Sequence, residues 1–196
     1  MKRQGFAKAR GRFLGRIVLF FAAALGINGC ILVSAVDHQI RVNGNGSGVA
    51  VITFLDLRSD GLDDSTYFDD MNVLLDLLGR EEIEEFEKDG KEILKKEFLL
   101  SGDTLSLRVE YEFKNLQTIE GVRETNEEIF FVVNESRQIV RTNGNIKDDP
   151  SGGKRMVWQT GSRFLSYLVK DAIPPKGRSL AQAYRLHLQQ SGSRQN

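Results

Sequence analysis

The sequence contains few of the residue types that form disulfides, zinc sites and nucleophilic catalytic centres. Its 196 residues include one cysteine and two histidines, His38 and His187. One cysteine cannot form a disulfide within the chain, and zinc sites of the common type need several clustered cysteine or histidine ligands. Nucleophilic catalysis also needs a base beside the nucleophile. We therefore predict no catalytic residue, no metal site and no cofactor.

Motifs for nucleotide binding and hydrolysis are also missing, because neither a P-loop, nor G-x-S-x-G, nor H-E-x-x-H occurs. Lysine and arginine together number 27, and so do aspartate and glutamate. Six of the basic residues and none of the acidic ones precede Cys30, so the chain from residue 30 onward has a net charge of about −6. Nucleic-acid binding needs clustered positive charge. The sequence therefore predicts no nucleic-acid partner.

The most distinctive stretch lies near the start of the chain and ends at the single cysteine. A leader with six basic residues precedes an apolar run over residues 17–25, and Ile27, Asn28, Gly29 and Cys30 follow. A positive segment, a short apolar segment and small residues at its end are typical of a secretory signal. The ending resembles the lipobox of bacterial lipoproteins, in which an aliphatic residue, a variable residue and a glycine or alanine precede cysteine. The resemblance implies cleavage before Cys30, a diacylglyceryl group on its sulfur and an acylated new N-terminus.

Two other interpretations of this stretch stay open. Apolar residues continue past Cys30, so residues 17–36 approach the roughly 20 residues that a transmembrane helix needs. The leader is then an uncleaved anchor, although Gly26 and Ser34 interrupt the apolar run. Alternatively, it is an ordinary secretory signal that contains a cysteine by chance. All three interpretations place the following domain outside the cytoplasm.

We divide the chain into four parts. Residues 1–29 form the signal peptide with the lipobox, and residues 30–36 form the lipidated N-terminus and a tether. Residues 37–171 are of single-domain size and form the folded body. Residues 172–196 form a basic flexible tail after Pro174 and Pro175, because they contain four basic residues, no acid and little apolar surface.

Alternation of apolar and polar residues predicts the strands of the body. It is clearest in residues 104–113, where every second residue is apolar, as in a sheet with one solvated face. Residues 37–43 and 48–57 flank a Gly/Asn turn and predict a hairpin. Residues 129–133 and 138–142 predict another hairpin. Because consecutive strands are joined by short turns, the sequence predicts antiparallel pairing.

A helical insertion follows the first predicted hairpin. Apolar residues recur at helical spacing after Ser65, which we expect to cap the helix, and Gly79 is the expected stop. A second, acidic helix is predicted over residues 80–88, whereas residues 91–99 fit either a helix or a strand. The order of elements predicts an α+β fold, namely an antiparallel β-sheet of hairpins with a helical insertion packed on one face.

The acidic residues at the end of the second predicted strand and in the loop after it are the best candidates for a metal site. Asp56, Asp60, Asp63 and Asp64 lie close together, and Asp60 begins an Asp-Gly pair like that of an EF-hand loop. Arg58 occupies the place of the second oxygen ligand, so the EF-hand pattern fails. We predict a solvated loop rather than a calcium site. Acidic residues are also numerous enough to supply a hydrolytic carboxylate pair, but such a pair needs a separation that sequence does not reveal.

The layout of the body is similar to that of the LppM-like envelope lipoproteins. The matching stretch is C-I-L-V-S-A-V-D-H-Q-I-R-V-N-G-N-G-S-G-V-A-V, which begins at Cys30. It combines a lipobox cysteine, a strand, a Gly/Asn turn and a second strand, and a helical insertion follows. The resemblance implies a lipid-anchored envelope protein, and any molecular role taken from it is an analogy.

We expect a lipid-anchored protein of the bacterial cell envelope with a non-enzymatic binding or structural domain. Its partners would be the membrane, through a lipid anchor at Cys30, and an envelope protein, lipid or wall component. The residue after the cysteine is Ile31 rather than aspartate, which in lipoprotein-sorting bacteria favours the outer membrane. The alternative is an exported hydrolase that uses a carboxylate pair.

Overall fold

The structure is a computed structural model and describes residues 31–80 and 87–192. Strands dominate the described part, and two α-helices and one short 3-10 helix join them. The elements are β1 Ile31–Val42, β2 Gly48–Ser59, α1 Asp64–Gly79, β3 Lys91–Ser101, β4 Thr104–Phe113, the 3-10 helix Leu116–Thr118, β5 Val122–Glu124, β6 Glu128–Val133, β7 Arg137–Thr142, β8 Asn145–Asp148, β9 Lys154–Gln159, β10 Phe164–Asp171, β11 Arg178–Ser179 and α2 Ala181–Gly192.

The strands form two antiparallel sheets. The large sheet has the order β3-β4-β2-β1-β10-β7, and β11 pairs with the end of β2. The small sheet has the order β5-β6-β9-β8. Every pair of neighbouring strands is antiparallel. The prediction of an α+β fold with antiparallel sheets is therefore confirmed.

Strand β4 has the predicted bounds and the predicted faces. Its inward residues are all buried: Leu105, Leu107, Val109, Tyr111 and Phe113. Neighbouring strands align with them across the sheet, as in the pairs of Ile52 with Val109 and of Phe54 with Leu107. This inner face of the large sheet forms the main part of the hydrophobic core. Burial on one face explains the strict alternation along β4, since side chains in a strand alternate between faces.

The small sheet packs against the inner face of the large sheet. The ring centroids of Phe131 in β6 and Tyr167 in β10 are 4.8 Å apart, and those of Trp158 in β9 and Tyr167 are 6.0 Å apart. Ile129 and Met156 of the small sheet are also buried. Aromatic pairs at these separations add a little to the large contribution of area burial.

One strand prediction needs correction. Residues 129–133 and 138–142 form strands, but β6 belongs to the small sheet and β7 pairs with β10 in the large sheet, so they are not a paired hairpin. Residues 91–99, which fitted either a helix or a strand, are strand, as part of β3. The polar segment after β7 contains a further strand, β8. Alternation indicates which face of a strand is buried but not which strand lies beside it.

The N-cap of helix α1 lies two residues earlier than predicted. Asp63 rather than Ser65 is its N-cap, and the Asp63 carboxylate accepts hydrogen bonds from Thr66 N and Thr66 Oγ1, each at 2.9 Å. The predicted stop at Gly79 is confirmed. Tyr67, Met71, Leu74 and Leu77 are the buried apolar residues of this helix. Most of the second predicted helix lies in residues 81–86, outside the described residues.

The predicted flexible tail is wrong over residues 172–192. Residues 178 and 179 pair with Ser59 and Arg58 of β2, beyond Phe54, the last residue of β2 that pairs with β4. Helix α2 follows. Leu180, Ala181 and Ala183 are buried in the core. A segment that is too short to fold alone can still be ordered when its apolar residues are buried against a larger body. The tail prediction for residues 193–196 lies outside the described residues.

Candidate functional site

The predicted lipidation site immediately precedes the large sheet. Ile27, Asn28, Gly29 and Cys30 lie outside the described residues, and the description begins with Ile31, the first residue of β1. The predicted tether over residues 30–36 is therefore wrong from Ile31 onward. These residues pair with β2, starting with Ile31 opposite Ser59, and from Ala35 onward they also pair with β10. Their apolar side chains and two strand partners explain why they are not a free linker.

We call the end of the large sheet where Ile31 pairs with Ser59 the anchor end, because the predicted lipidation site directly precedes it. The segment between β10 and β11 crosses beside this end. It passes close to Leu32 and Ser59, because a Cβ added at Gly177 would lie 2.7 Å from Ser59 O and 3.1 Å from Leu32 Cδ1. Glycine is therefore needed at residue 177 for close approach of the two backbones. The loop from β2 to α1 starts at the same end, directly after Ser59.

A polar cluster built around Asp56 connects the strands at the anchor end. The Asp56 carboxylate accepts hydrogen bonds from Ser34 Oγ at 2.7 Å and from Arg58 Nε at 2.8 Å. Arg58 Nη1 also donates to Gly177 O at 2.9 Å. These contacts join β1, β2 and the crossing segment. The cluster is half-buried, so its ion pair is less exposed to screening than a surface pair.

Asp56 also has an unusual backbone. Its φ is 56°, and it is the only residue other than glycine with a positive φ in residues 31–80 and 87–192. This left-handed conformation costs about 1–2 kcal/mol for an L-residue, so the contacts of its carboxylate and backbone must offset that cost. The inward alternation along β2 shifts here, since Phe54 and then Leu57 are buried. Sequence gave no sign of this shift, although aspartate tolerates the conformation better than most residues.

His38 lies between the two sheets and packs against Tyr167. Its Nδ1 is 2.6 Å from the Tyr167 hydroxyl, and both side chains are buried. Burial, with a smaller effect of the positive charge of Lys91, lowers the pKa of His38 to about 3. Burial also raises the pKa of Tyr167. His38 is thus a neutral core residue.

Three of the four acidic residues considered as candidates for a metal site have separate structural roles. Asp56 holds the cluster described above, and Asp63 caps α1. The hydrogen bond from the backbone of Thr66 is the main cause that lowers the pKa of Asp63. Asp64 pairs with Arg178 at 2.5 Å. Within residues 31–80 and 87–192, no three acidic, histidine or cysteine side chains come together as a metal-binding group.

One carboxylate is fully enclosed. Ser59 Oγ donates to Asp70 Oδ2 at 2.5 Å, and both residues are buried between β2 and α1. Burial is the main cause that raises the pKa of Asp70, with the negative charges of Asp60 and Asp69 adding to it. A raised carboxyl pKa is also found in catalytic acids. Here the side chain is buried, and its hydrogen bond to Ser59 ties the helix to the sheet.

Two residues that the sequence analysis did not consider stand out at the anchor end. Leu62 in the β2–α1 loop is fully exposed, and Ile173 in the crossing segment is 80% exposed. In the sequence, Leu62 lies among the aspartates of one loop and Ile173 lies directly before a Pro-Pro pair, so both depart from the polar composition around them. The sequence does not show that they lie at the same end of the sheet, because that depends on the pairing of β1 with β2 and β10.

No family model matches this chain, and no match was found among curated proteins or solved structures. The likeness to LppM-like envelope lipoproteins therefore stays a prediction from the sequence pattern. Among residues 31–80 and 87–192, no helix combines the length and apolar character needed to cross a membrane. The fold and the anchor end supply the observations from which function can be argued.

Proposed function

We propose that this chain is a lipid-anchored protein of the bacterial cell envelope and that its folded domain has a binding or structural role. The observation that carries the proposal is the lipobox-like Ile27-Asn28-Gly29-Cys30 directly before a strand that starts at Ile31. Two or three acyl chains give stable membrane attachment, whereas one chain gives only marginal binding. Cys30 is the residue that would carry the diacylglyceryl group.

The proposed role is non-enzymatic because the residues that could do chemistry have structural partners. His38 contacts Tyr167 in the core, and Asp70 contacts Ser59 between sheet and helix. Asp63 and Asp64 cap and brace helix α1. The partner would be an envelope protein, a lipid or a wall component, and the outer membrane is the favoured location in a host that has one.

We also propose that helix α1 covers part of the inner face of the large sheet, as the predicted helical insertion would. The Ser59–Asp70 hydrogen bond supports this arrangement at one end of the helix. At the other end, Lys96 Nζ in β3 donates to Leu77 O at 2.8 Å. A lysine at the last carbonyl groups of a helix satisfies acceptors that lack an intrahelical donor.

The test of anchoring is incorporation of labelled fatty acid by the full chain. The variant Cys30→Ser is expected to lose the label completely and to escape lipoprotein-type processing. Asn28→Ala is the matched control, because it changes the variable position of the lipobox and is expected to keep both. Labelling that survives Cys30→Ser would show that the anchor is not at this residue.

A further inference from the structure

The two most exposed large apolar side chains among residues 31–80 and 87–192 lie in neighbouring loops. Leu62 is fully exposed and Ile173 is 80% exposed, whereas Ile146, which comes next, is 54% exposed. Single exposed apolar residues are common on soluble proteins and need no explanation. Two such residues at one end of one sheet are a reason to ask what that end contacts.

The strand register places both residues at the anchor end. Ile31 pairs with Ser59, and Leu62 follows Ser59 by three residues. On the other side of β1, Ala35 pairs with Lys170, and Ile173 follows Lys170 by three residues. The crossing segment then reaches Ser59 at Gly177. The start of β1 thus lies between the loop that contains Leu62 and the segment that contains Ile173.

The distance from the anchor to this end is very short. Consecutive Cα atoms are about 3.8 Å apart, so Ile31 lies within one residue of the sulfur that would carry the lipid. An acylated Cys30 has its acyl chains in the bilayer, and this distance then keeps the anchor end of the sheet at the level of the lipid headgroups. Both exposed side chains belong to loops that start at this end.

We propose that Leu62 and Ile173 insert into the interface of the bilayer that holds the anchor and thereby fix the orientation of the domain. This inference rests on the proposed lipid anchor. The partner is the lipid surface itself, because anchoring already places it beside both loops. Apolar side chains that enter the boundary between headgroups and acyl chains bind through the area that they bury there.

The charges around the two residues indicate which lipid chemistry this end recognises. Asp63 is close to Leu62, and Asp64 pairs with Arg178 at 2.5 Å. Lys176 follows Ile173 and is exposed. Charges of both signs are therefore interspersed, and residues 60–63 and 172–177 contain a single basic residue, Lys176, which is too few to favour anionic lipids. We expect apolar insertion that occurs on phosphatidylcholine and does not require an anionic lipid.

The experiment uses tryptophan as a depth probe in the full, fatty-acid-labelled chain reconstituted into phosphatidylcholine vesicles. Leu62→Trp and Ile173→Trp place the probe at the two loops, and the buried Trp158 of the wild type supplies the signal to subtract. Ile146→Trp is the matched control. Ile146 follows Asn143, whose side chain donates to Phe164 O at the opposite end of β10. Lipids with brominated acyl chains are the quencher.

We expect the added emission of Leu62→Trp and Ile173→Trp to shift to the blue and to lose most of its intensity in brominated vesicles. The Ile146→Trp signal should stay unquenched. Quenching at residues 62 and 173 no greater than at residue 146, in protein that carries the fatty-acid label, would overturn this inference alone. Protein without the label would overturn the proposed anchor and this inference with it. A blue shift that grows with protein concentration without vesicles would assign the loops to a second copy of the chain and would also overturn the inference.

Discussion

The large sheet contacts the small sheet and helix α1 in two different ways. The small sheet contacts it through aromatic and aliphatic side chains, with Phe131 and Trp158 against Tyr167. The helical side, where α1 contacts β2 and β11, adds directional hydrogen bonds to its buried apolar residues, such as Ser59 to Asp70 at 2.5 Å and Tyr67 Oη to Ser179 O at 2.8 Å. The first contact depends on buried area and shape, and the second depends also on individual polar atoms. The two sides should therefore respond differently to substitution, truncation and pH.

The largest effect on stability is expected in the large sheet, which contacts both the small sheet and helix α1. Val109 of β4 is buried and faces inward, so Val109→Asp would place an unpaired charge in the core at a cost of several kcal/mol. Typical domains are stable by about 5–15 kcal/mol, so most of the stability would be lost. Glu110→Lys, on the outer face, is the control and should have a small effect. Thermal unfolding measures both, and equal effects would show that the faces of β4 are wrongly assigned.

A smaller effect on stability should distinguish the helical side of the large sheet from the side that contacts the small sheet. A chain that ends at Asp171 lacks β11 and α2 and loses the buried Leu180, for which truncation of a leucine side chain alone costs about 2–5 kcal/mol. The environment of Trp158 between the sheets should change little. A chain that ends at Gly192 is the control and should unfold like the full chain. Urea unfolding followed by helical signal and by tryptophan fluorescence measures the difference. Equal stability of the two shortened chains would mean that the C-terminal segment does not contribute to the core.

A single hydroxyl group tests the directional nature of the helical side. Tyr67 Oη donates to Ser179 O and accepts from Ala183 N at 3.1 Å, so Tyr67→Phe leaves two backbone groups without this partner. Loss of hydrogen bonds to buried groups costs about 1–3 kcal/mol. Tyr184→Phe is the control, because it keeps the ring that packs on Phe98. Unfolding in urea should show a clear loss for the first variant only, and similar losses for both would assign the effect to the rings.

The pH dependence tests the side covered by the small sheet. The pKa of His38 is about 3 in the folded chain, compared with 6.5 for an ordinary histidine. The unfolded chain therefore binds more protons between these values, and stability falls as the pH decreases through this range. From pH 7.5 to pH 5.5 the expected loss is about 1.4 kcal/mol.

The variant His38→Gln should lose less stability than the wild type over that pH interval. His187→Gln is the control, because His187 is a half-exposed residue of α2. The free energy of unfolding at the two pH values measures the difference. A loss in His38→Gln as large as that of the wild type would show that another group binds the protons.

The parts of the fold that sequence predicted are those determined by local contacts and one-sided burial. Strand β4 was found because apolar residues on its buried inner face alternate with polar residues on its outer face. The first hairpin was found because its turn residues are adjacent in the chain. The packing of the C-terminal segment on the body was not predicted, because it contacts Tyr67, Arg58 and Ser59, more than a hundred residues earlier. Interactions over such distances leave no periodic signal in the sequence.

The candidate site divides in the same way. Cys30 was identified from local sequence, and its lipidation stays a prediction. The anchor end was not identified, since Leu62 and Ile173 come together only through the pairing of β1 with β2 and β10. Asp56 was predicted within a strand and considered as a candidate metal ligand, whereas its contacts with Ser34 and Arg58 give it a structural role in the sheet. The three-dimensional role of each residue depends on its strand partners rather than on its neighbours in the chain.

The position of β1 has a consequence for the time at which the protein can fold. The first described strand pairs on one side with β10, whose residues follow it by more than a hundred positions. The far end of β2 is completed only by residues 178 and 179. Contacts between distant parts of a chain form slowly, and domains emerge from the ribosome starting with the N-terminus. Strand β1 therefore pairs with β2 early but lacks its second partner until more than a hundred further residues have been synthesised, so the large sheet cannot be completed before then.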